Sequence, residues 1–237
     1  RMEDKMKNVG LIFIFCLAIS MSGLDIQVVN YQLGDVTLNR ISLQPNLEYT
    51  PWVVGDNGQV LKLRSGNGLI DRRFTLDSSY NLTGISFGPF DGGRYGYIVG
   101  YKRNEPDKWK GAIWKTENWG ETWTLLTSPN IINELPIPYL NVAAGANGVV
   151  WVSCGHGYVI KSITGGASWW IVTKPVRESH TGWFWGLDID YYNPDIAWVC
   201  GDQSGLISYT RSKDETWIDT RPQMDCRATP QSKLKYL

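Results

Sequence analysis

Apolar and polar residues alternate along this chain in short bursts, and the bursts recur. Trp52-Val53-Val54-Gly55-Asp56-Asn57-Gly58, leading into Gln59-Val60-Leu61-Lys62, is matched by Trp151-Val152-Ser153-Cys154-Gly155-His156-Gly157, leading into Tyr158-Val159-Ile160-Lys161. A third copy runs from Trp198-Val199-Cys200-Gly201 through Asp202-Gln203-Ser204-Gly205 to Leu206-Ile207. A fourth begins at Tyr97-Ile98-Val99-Gly100 and resumes at Gly111-Ala112-Ile113-Trp114-Lys115 after a polar insertion. Each copy is an aromatic and β-branched strand, a Gly/Asp/Asn turn and a second apolar strand, which is the pattern of a hairpin. The copies start at 52, 97, 151 and 198, a spacing of 45, 54 and 47 residues. Upstream of each lies another alternating or apolar stretch: Leu38 to Leu43, Leu82 to Phe87, Leu140 to Ala144 and Trp183 to Ile189. Four units of about four strands therefore fill residues 36 to about 222. A period in the forties with several strands per unit predicts an all-β fold, a β-propeller of four-stranded antiparallel blades. Four blades are recognisable, so the ring is expected to be small or incomplete.

A second landmark follows the hairpins. Thr116-Glu117-Asn118-Trp119-Gly120-Glu121-Thr122-Trp123 is repeated as Ser162-Ile163-Thr164-Gly165-Gly166-Ala167-Ser168-Trp169, and again as Thr210-Arg211-Ser212-Lys213-Asp214-Glu215-Thr216-Trp217. A short polar side chain at the third position (Asn118, Thr164, Ser212) is expected to bond backbone amides across a turn. Gly120 and Gly166 accept the positive φ of such a bend, and Trp123, Trp169 and Trp217 are expected to pack on the blade. These segments resemble the Asp-box, Ser/Thr-x-Asp-x-Gly-x-Thr-Trp, of BNR-like propeller repeats. Asn118, Thr164 and Ser212 stand where that motif has Asp, and Asp214 stands where it has Gly. The first unit, at Arg64-Ser65-Gly66-Asn67-Gly68, keeps little of it. The run from Trp151 to Trp169 resembles the repeats of photosystem II assembly/stability-factor-like propellers. Asp190-Tyr191-Tyr192-Asn193-Pro194-Asp195-Ile196-Ala197-Trp198 is similar to the strand connection of sortilin-type and xyloglucanase-type propellers. The resemblance covers residues 36 to about 220 and implies an architecture. It implies no single function, because these groups include glycan hydrolases, peptide receptors and assembly chaperones.

Composition sharpens this picture. Twelve Trp, twelve Tyr and 25 Gly suit half-buried strands joined by tight turns. Lys and Arg total 23, as do Asp and Glu, so the chain has no net charge and no broad electrostatic footprint for nucleic acid. Lys5 and Lys7 precede an apolar run from Val9 to Ile19, followed by Ser20, Ser22 and Gly23. That is the pattern of an export signal over residues 1–22, too short to span a membrane. It predicts a secreted, periplasmic or organelle-lumen protein, with a propeller over 23–223 and a polar tail over 224–237. Ile26-Gln27-Val28-Val29 is an extra strand-like run, expected to pair with the last blade or to belong to a further one. Outside the signal, Cys154, Cys200 and Cys226 allow one disulfide and leave a spare thiol. No spacing suggests zinc, and no cofactor is expected. Asn81-Leu82-Thr83 is a glycosylation sequon.

Chemistry is sparse. Arg40-Ile41-Ser42 is similar to the first-strand Arg motif of sialidases but lacks its Pro and a supporting set of arginines. Asp188 and Asp190 share one face of a strand, where they project toward a propeller axis or cap a turn; a glycoside hydrolase needs two such carboxylates across a cleft. His156 stands in a hairpin turn, and His180 in a connection beside Glu178 and Ser179 without nucleophile-elbow spacing. The aromatic surplus points to binding instead. Trp109, Trp119, Trp170, Trp183, Trp185, Tyr191 and Tyr192 lie near connections, where exposed rings stack on sugars or anchor protein interfaces. The expectation is an exported, non-enzymatic module for protein interaction or self-assembly. A glycan-binding propeller is the alternative, and a hydrolase fragment stands further behind.

Overall fold

The computed structural model describes residues 14–20, 23–29, 36–46, 48–105, 108–126, 136–173, 182–190, 192–201, 207–210 and 217–219. They form four antiparallel four-stranded sheets and one two-stranded sheet. The first blade holds β3 (Leu38–Gln44), β4 (Thr50–Gly55), β5 (Gln59–Leu63) and β6 (Ile70–Thr75), in that spatial order after the β1–β2 hairpin described below. The second holds β7 (Asn81–Phe87), β8 (Gly96–Glu105), β9 (Lys108–Thr116) and β10 (Thr124–Leu125). The third holds β11 (Tyr139–Ala144), β12 (Val150–Cys154), β13 (Val159–Ser162) and β14 (Trp170–Thr173). The fourth holds β15 (Gly186–Ile189), β16 (Ala197–Cys200), β17 (Ile207–Thr210) and β18 (Trp217–Asp219). Each blade is a meander, and the first strands β3, β7, β11 and β15 adjoin one another in sequence, which puts them innermost. The predicted units are thus present. The polar insertion of the second unit lengthens its hairpin, with β8 and β9 paired from Gly96–Thr116 out to Glu105–Lys108.

Ile26 to Val29 belongs to β2 (Gly23–Val29). It pairs with neither the last blade nor another full blade but with β1 (Ile14–Ser20), from Ile14–Val29 to Ser20–Gly23. A two-residue link lets adjacent segments close locally, without the longer loop that reaching the last blade requires.

The core lies between blades. Trp52, Val54 and Val60 of the first blade pack with Leu82, Ile85, Phe87, Ile98 and Trp114 of the second. Val99 and Ile113 meet Tyr139, Val142, Val150 and Val152 across the next junction, and Trp151 and Val159 meet Phe184, Ala197 and Val199 across the third. Burying a side chain of this size contributes roughly 1.5–3 kcal/mol, so these junctions hold the arc together. A polar stitch accompanies them at the axis. Asn39 Nδ2 donates to the Leu82 carbonyl (2.9 Å), Thr83 Oγ1 to the Tyr139 carbonyl (2.8 Å) and Asn141 Nδ2 to the Leu187 carbonyl (3.3 Å). Each of the first three blades donates to the innermost strand of the next.

The repeated glycine of each hairpin has a steric cause. A Cβ at Gly55, Gly100 or Gly201 would collide with the backbone oxygen of Thr37, Asn81 or Trp183, at or just before the start of the innermost strand, and one at Gly155 would strike the Pro138 ring. Only glycine lets the second strand leave the sheet so close to the first.

Candidate functional site

Strand direction gives each blade two ends. One carries the loops between second and third strands together with the blade-to-blade connections. The other carries the remaining turns. At the first end, residues 182–185 run extended along the third blade. Gly157 N donates to the Gly182 carbonyl (2.8 Å), Phe184 N to the Cys154 carbonyl (3.3 Å) and Ser153 Oγ to the Phe184 carbonyl (2.7 Å). Successive side chains of an extended segment point opposite ways. Phe184 enters the core between the third and fourth blades, and Trp183 and Trp185 turn outward.

The long β8–β9 hairpin brings Tyr101 and Trp109 to meet them. Tyr101 and Trp109 lie 5.2 Å apart edge to face, Trp109 and Trp183 5.5 Å apart at 90°, and Tyr101 and Trp183 6.3 Å apart. Trp183 and Trp185 stack at 5.3 Å with planes 23° apart, and the His156 ring is 6.4 Å from Trp183. Trp185 closes the row and is 46% exposed. Arg40 reaches from β3 to the Trp185 carbonyl (3.0 Å), which fixes that ring's backbone. Burial, aided by the charge of Asp56, pushes the Tyr101 phenol above its ordinary range. Three of the expected binding aromatics, Trp109, Trp183 and Trp185, are therefore one surface.

The others separate. Trp119 lies at the opposite end, its Nε1 bonded to the Asp91 carbonyl (2.8 Å) and its ring under Arg94, so it fastens the β7–β8 loop. Trp170 opens β14 half-buried beside the buried Trp169, whose Nε1 bonds the Gly166 carbonyl. Tyr192 is exposed in a loop capped by Asp190, whose Oδ1 accepts from Tyr192 N and Asn193 N. Asp188 Oδ1 accepts from Ile189 N. Tyr191, Ser212, His180 and Cys226 lie outside the described residues. Asn81 opens β7 half-buried opposite Tyr101. Cys154 and Cys200 are both free thiols; burial raises the first well above its usual range, and the second is exposed.

At the opposite end a cleft of about 520 Å³ between the second and third blades is lined by Phe90, Tyr95, Tyr97, Lys115, Glu117 and Ile163 among others. The Lys115 ammonium, 2.6 Å from Glu117 Oε1, bonds that carboxyl and holds it below its usual range. The turns beside it are knit internally. Thr116 Oγ1 accepts from Asn118 N and Gly120 N, and Asn118 Oδ1 accepts from Thr122 N. Ser162 and Thr164 repeat this pattern with Thr164 N, Gly166 N and Ser168 N. Gly120 and Gly166 have φ of +88° and +90°. Thr210 and Trp217 pair at the ends of β17 and β18. Among the described residues no group of three His, Cys, Asp or Glu is placed to hold a metal, and no helix is long and apolar enough to cross a membrane.

No protein-family model and no curated protein matches the sequence. Solved structures do match. YCF48 from Cyanidioschyzon merolae aligns with a TM-score of 0.59 at 15% identity, over 82% of this chain and 59% of that one. YCF48 bound to D1 peptide aligns at 0.53 and 18%, over 81% and 60%. The GH74 xyloglucanase from Xanthomonas campestris aligns at 0.58 and 10%, over 83% and 32%. The fold is that of a β-propeller. This propeller chain spans about 60% of the length of the YCF48 chains it matches.

Two features of the propeller lie outside the hairpin and turn repeats. Tyr101 carries no repeat signal, because it lies one residue beyond Tyr97-Ile98-Val99-Gly100. The axial stitch has a visible signal, the dipeptides Leu38-Asn39, Leu82-Thr83, Leu140-Asn141 and Leu187-Asp188 at the same place in each unit.

Proposed function

We propose that this chain is an exported, non-enzymatic propeller that binds a protein partner on the surface formed by Tyr101, Trp109, Trp183 and Trp185. The observation that carries this reading is the ring cluster itself. Four large side chains brace one another, three edge to face and Trp185 stacked on Trp183, so little rotamer freedom remains to be lost on binding. Rigid aromatic anchors of this kind dominate protein interfaces. The absence of net charge suits a partner recognised by shape rather than by field. A propeller of the same fold is solved with a peptide bound, which supports a peptide ligand for this architecture. Export is supported by Lys5, Lys7 and the apolar run that follows.

The test is a selection of displayed peptides on the full chain, with counter-selection on Trp185→Ala. Peptides that bind the wild type and lose about tenfold or more in affinity to the variant are expected. Peptides that bind both equally would move the site elsewhere. The stacked Trp183–Trp185 pair also favours a second reading, a sugar-binding platform. A glycan array decides between the two: hits abolished by Trp185→Ala, with no peptide selected, would replace the protein partner by a carbohydrate.

A further inference from the structure

Each blade has one face toward the blade before it and one toward the blade after it, and the chain forms the contact between such faces three times. At the first junction Trp52 of β4 meets Phe87 of β7 with ring centroids 5.6 Å apart, and Val54 joins Leu82 and Ile85 in the same cluster. The residues at Trp52's place in the second and third blades, Tyr97 and Trp151, are as buried as Trp52 itself, but Trp198 in the fourth is 38% exposed. At the next position on that face Val54, Val99 and Ser153 are fully buried, and Cys200 is exposed.

The opposite face of the first blade shows the same break. Leu82-Thr83-Gly84-Ile85-Ser86-Phe87 aligns with Leu38-Asn39-Arg40-Ile41-Ser42-Leu43. Ile85 and Phe87 are 3% and 6% exposed, whereas Ile41 and Leu43 are 48% and 55%. The outer part of that face, Val53, Leu61 and Leu63, is buried, so the opening follows the inner strand. The inner strand is where Trp52 finds Phe87 one junction along. Among the described residues the Arg40 bond to the Trp185 carbonyl joins the first and fourth blades, and Ile41, Leu43, Trp198 and Cys200 stay exposed.

An aromatic ring and a thiol at one end, and two branched aliphatic side chains at the other, are the two halves of an interface this fold already makes. We infer that the fourth blade of one copy packs on the first blade of a second copy. Trp198 and Cys200 meet Leu43 and Ile41 of the neighbour as Trp52 and Val54 meet Phe87 and Ile85. The contact is heterologous, a different surface from each copy, and the chain's zero net charge places no long-range repulsion in its way.

Sedimentation velocity of the full chain over the micromolar range tests this. The wild type is expected to associate with rising concentration, and Leu43→Glu and Trp198→Glu each to weaken association by about tenfold or more. An equimolar mixture of the two variants regains a dimer, because the intact Trp198 of one meets the intact Leu43 of the other. An interface of like surfaces gives no such rescue. Circular dichroism checks that each variant is folded, and Leu43→Ser with Trp198→Ser replaces the pair if a glutamate unfolds the chain. A wild type that stays monomeric, whether another segment of the chain or a different protein takes those faces, overturns the inference. So do single variants that associate normally, or a mixture that does not recover.

Discussion

Lys161 Nζ lies 2.9 Å from Asp195 Oδ1 and 4.4 Å from the centre of the Trp151 ring, in a site where the lysine side chain is only 3% exposed. The pair ties β13 of the third blade to the loop before β16 of the fourth. Removing the carboxylate leaves a buried ammonium without a counter-charge. Asp195→Ala is expected to cost about 3 kcal/mol, the low end of the range for broken buried pairs because Asp195 is partly exposed. Lys161→Met with Asp195→Ala is expected to recover most of that loss, and a double-mutant cycle in urea measures the coupling.

Two glycines separate crowding from backbone strain. Gly100→Ala forces a methyl group against the Asn81 carbonyl and is expected to cost about 1–3 kcal/mol. Gly66, with φ +86°, has open space where a Cβ would sit, so Gly66→Ala carries strain alone, about 1 kcal/mol. Denaturant midpoints of the two variants should rank in that order.

The Tyr139 hydroxyl is buried and has no hydrogen-bond partner in the structure. Tyr139→Phe removes a desolvated polar group and is expected to be neutral or to stabilise by up to about 1 kcal/mol at pH 7.

The same tyrosine sets an alkaline limit. Burial raises the Tyr139 and Tyr97 phenols and the Cys154 thiol, so the folded chain holds protons that the unfolded chain releases. Stability is full below the ordinary values of 9.0 for the thiol and 10.0 for the phenols, and falls as pH rises past them. A melting series from neutral to strongly alkaline pH should show that decline, shallower in Tyr139→Phe.

Trp151 and Trp185 make the contrast between core and surface. Trp151→Ala is expected to cost about 3–5 kcal/mol, because the ring is fully buried and its Nε1 bonds the Pro194 carbonyl. Trp185→Ala should change thermal stability by less than about 1 kcal/mol while removing the end of the aromatic row. Calorimetry on both variants checks the pair.

The blades were legible because alternation, turn residues and steric need coincide. Gly55, Gly100, Gly155 and Gly201 mark the same close approach in every unit, and the strands on either side are short apolar runs bounded by turn residues. The candidate site was legible only in part. Trp109 and Trp183 are 74 positions apart, and their contact depends on how far one blade is rotated from the next, which no local pattern encodes. Trp119 falls with them by lying near a connection, yet its indole N–H is committed to the Asp91 carbonyl at the other end of the blade. Asp190 has the spacing of a strand carboxylate and the work of a turn cap, since a short acidic side chain bonds the nearest free amides first.

The stitch at the axis has a direction. Asn39, Thr83 and Asn141 each offer a donor to a strand that leaves the ribosome later, never to an earlier one. A nascent chain can therefore lay down blades in the order of translation, each finished sheet holding out the polar group that catches its successor. Asp188 occupies the fourth such place, a carboxylate where the others carry an amide or hydroxyl donor. Among the described inner strands, the row of donors stops at that carboxylate.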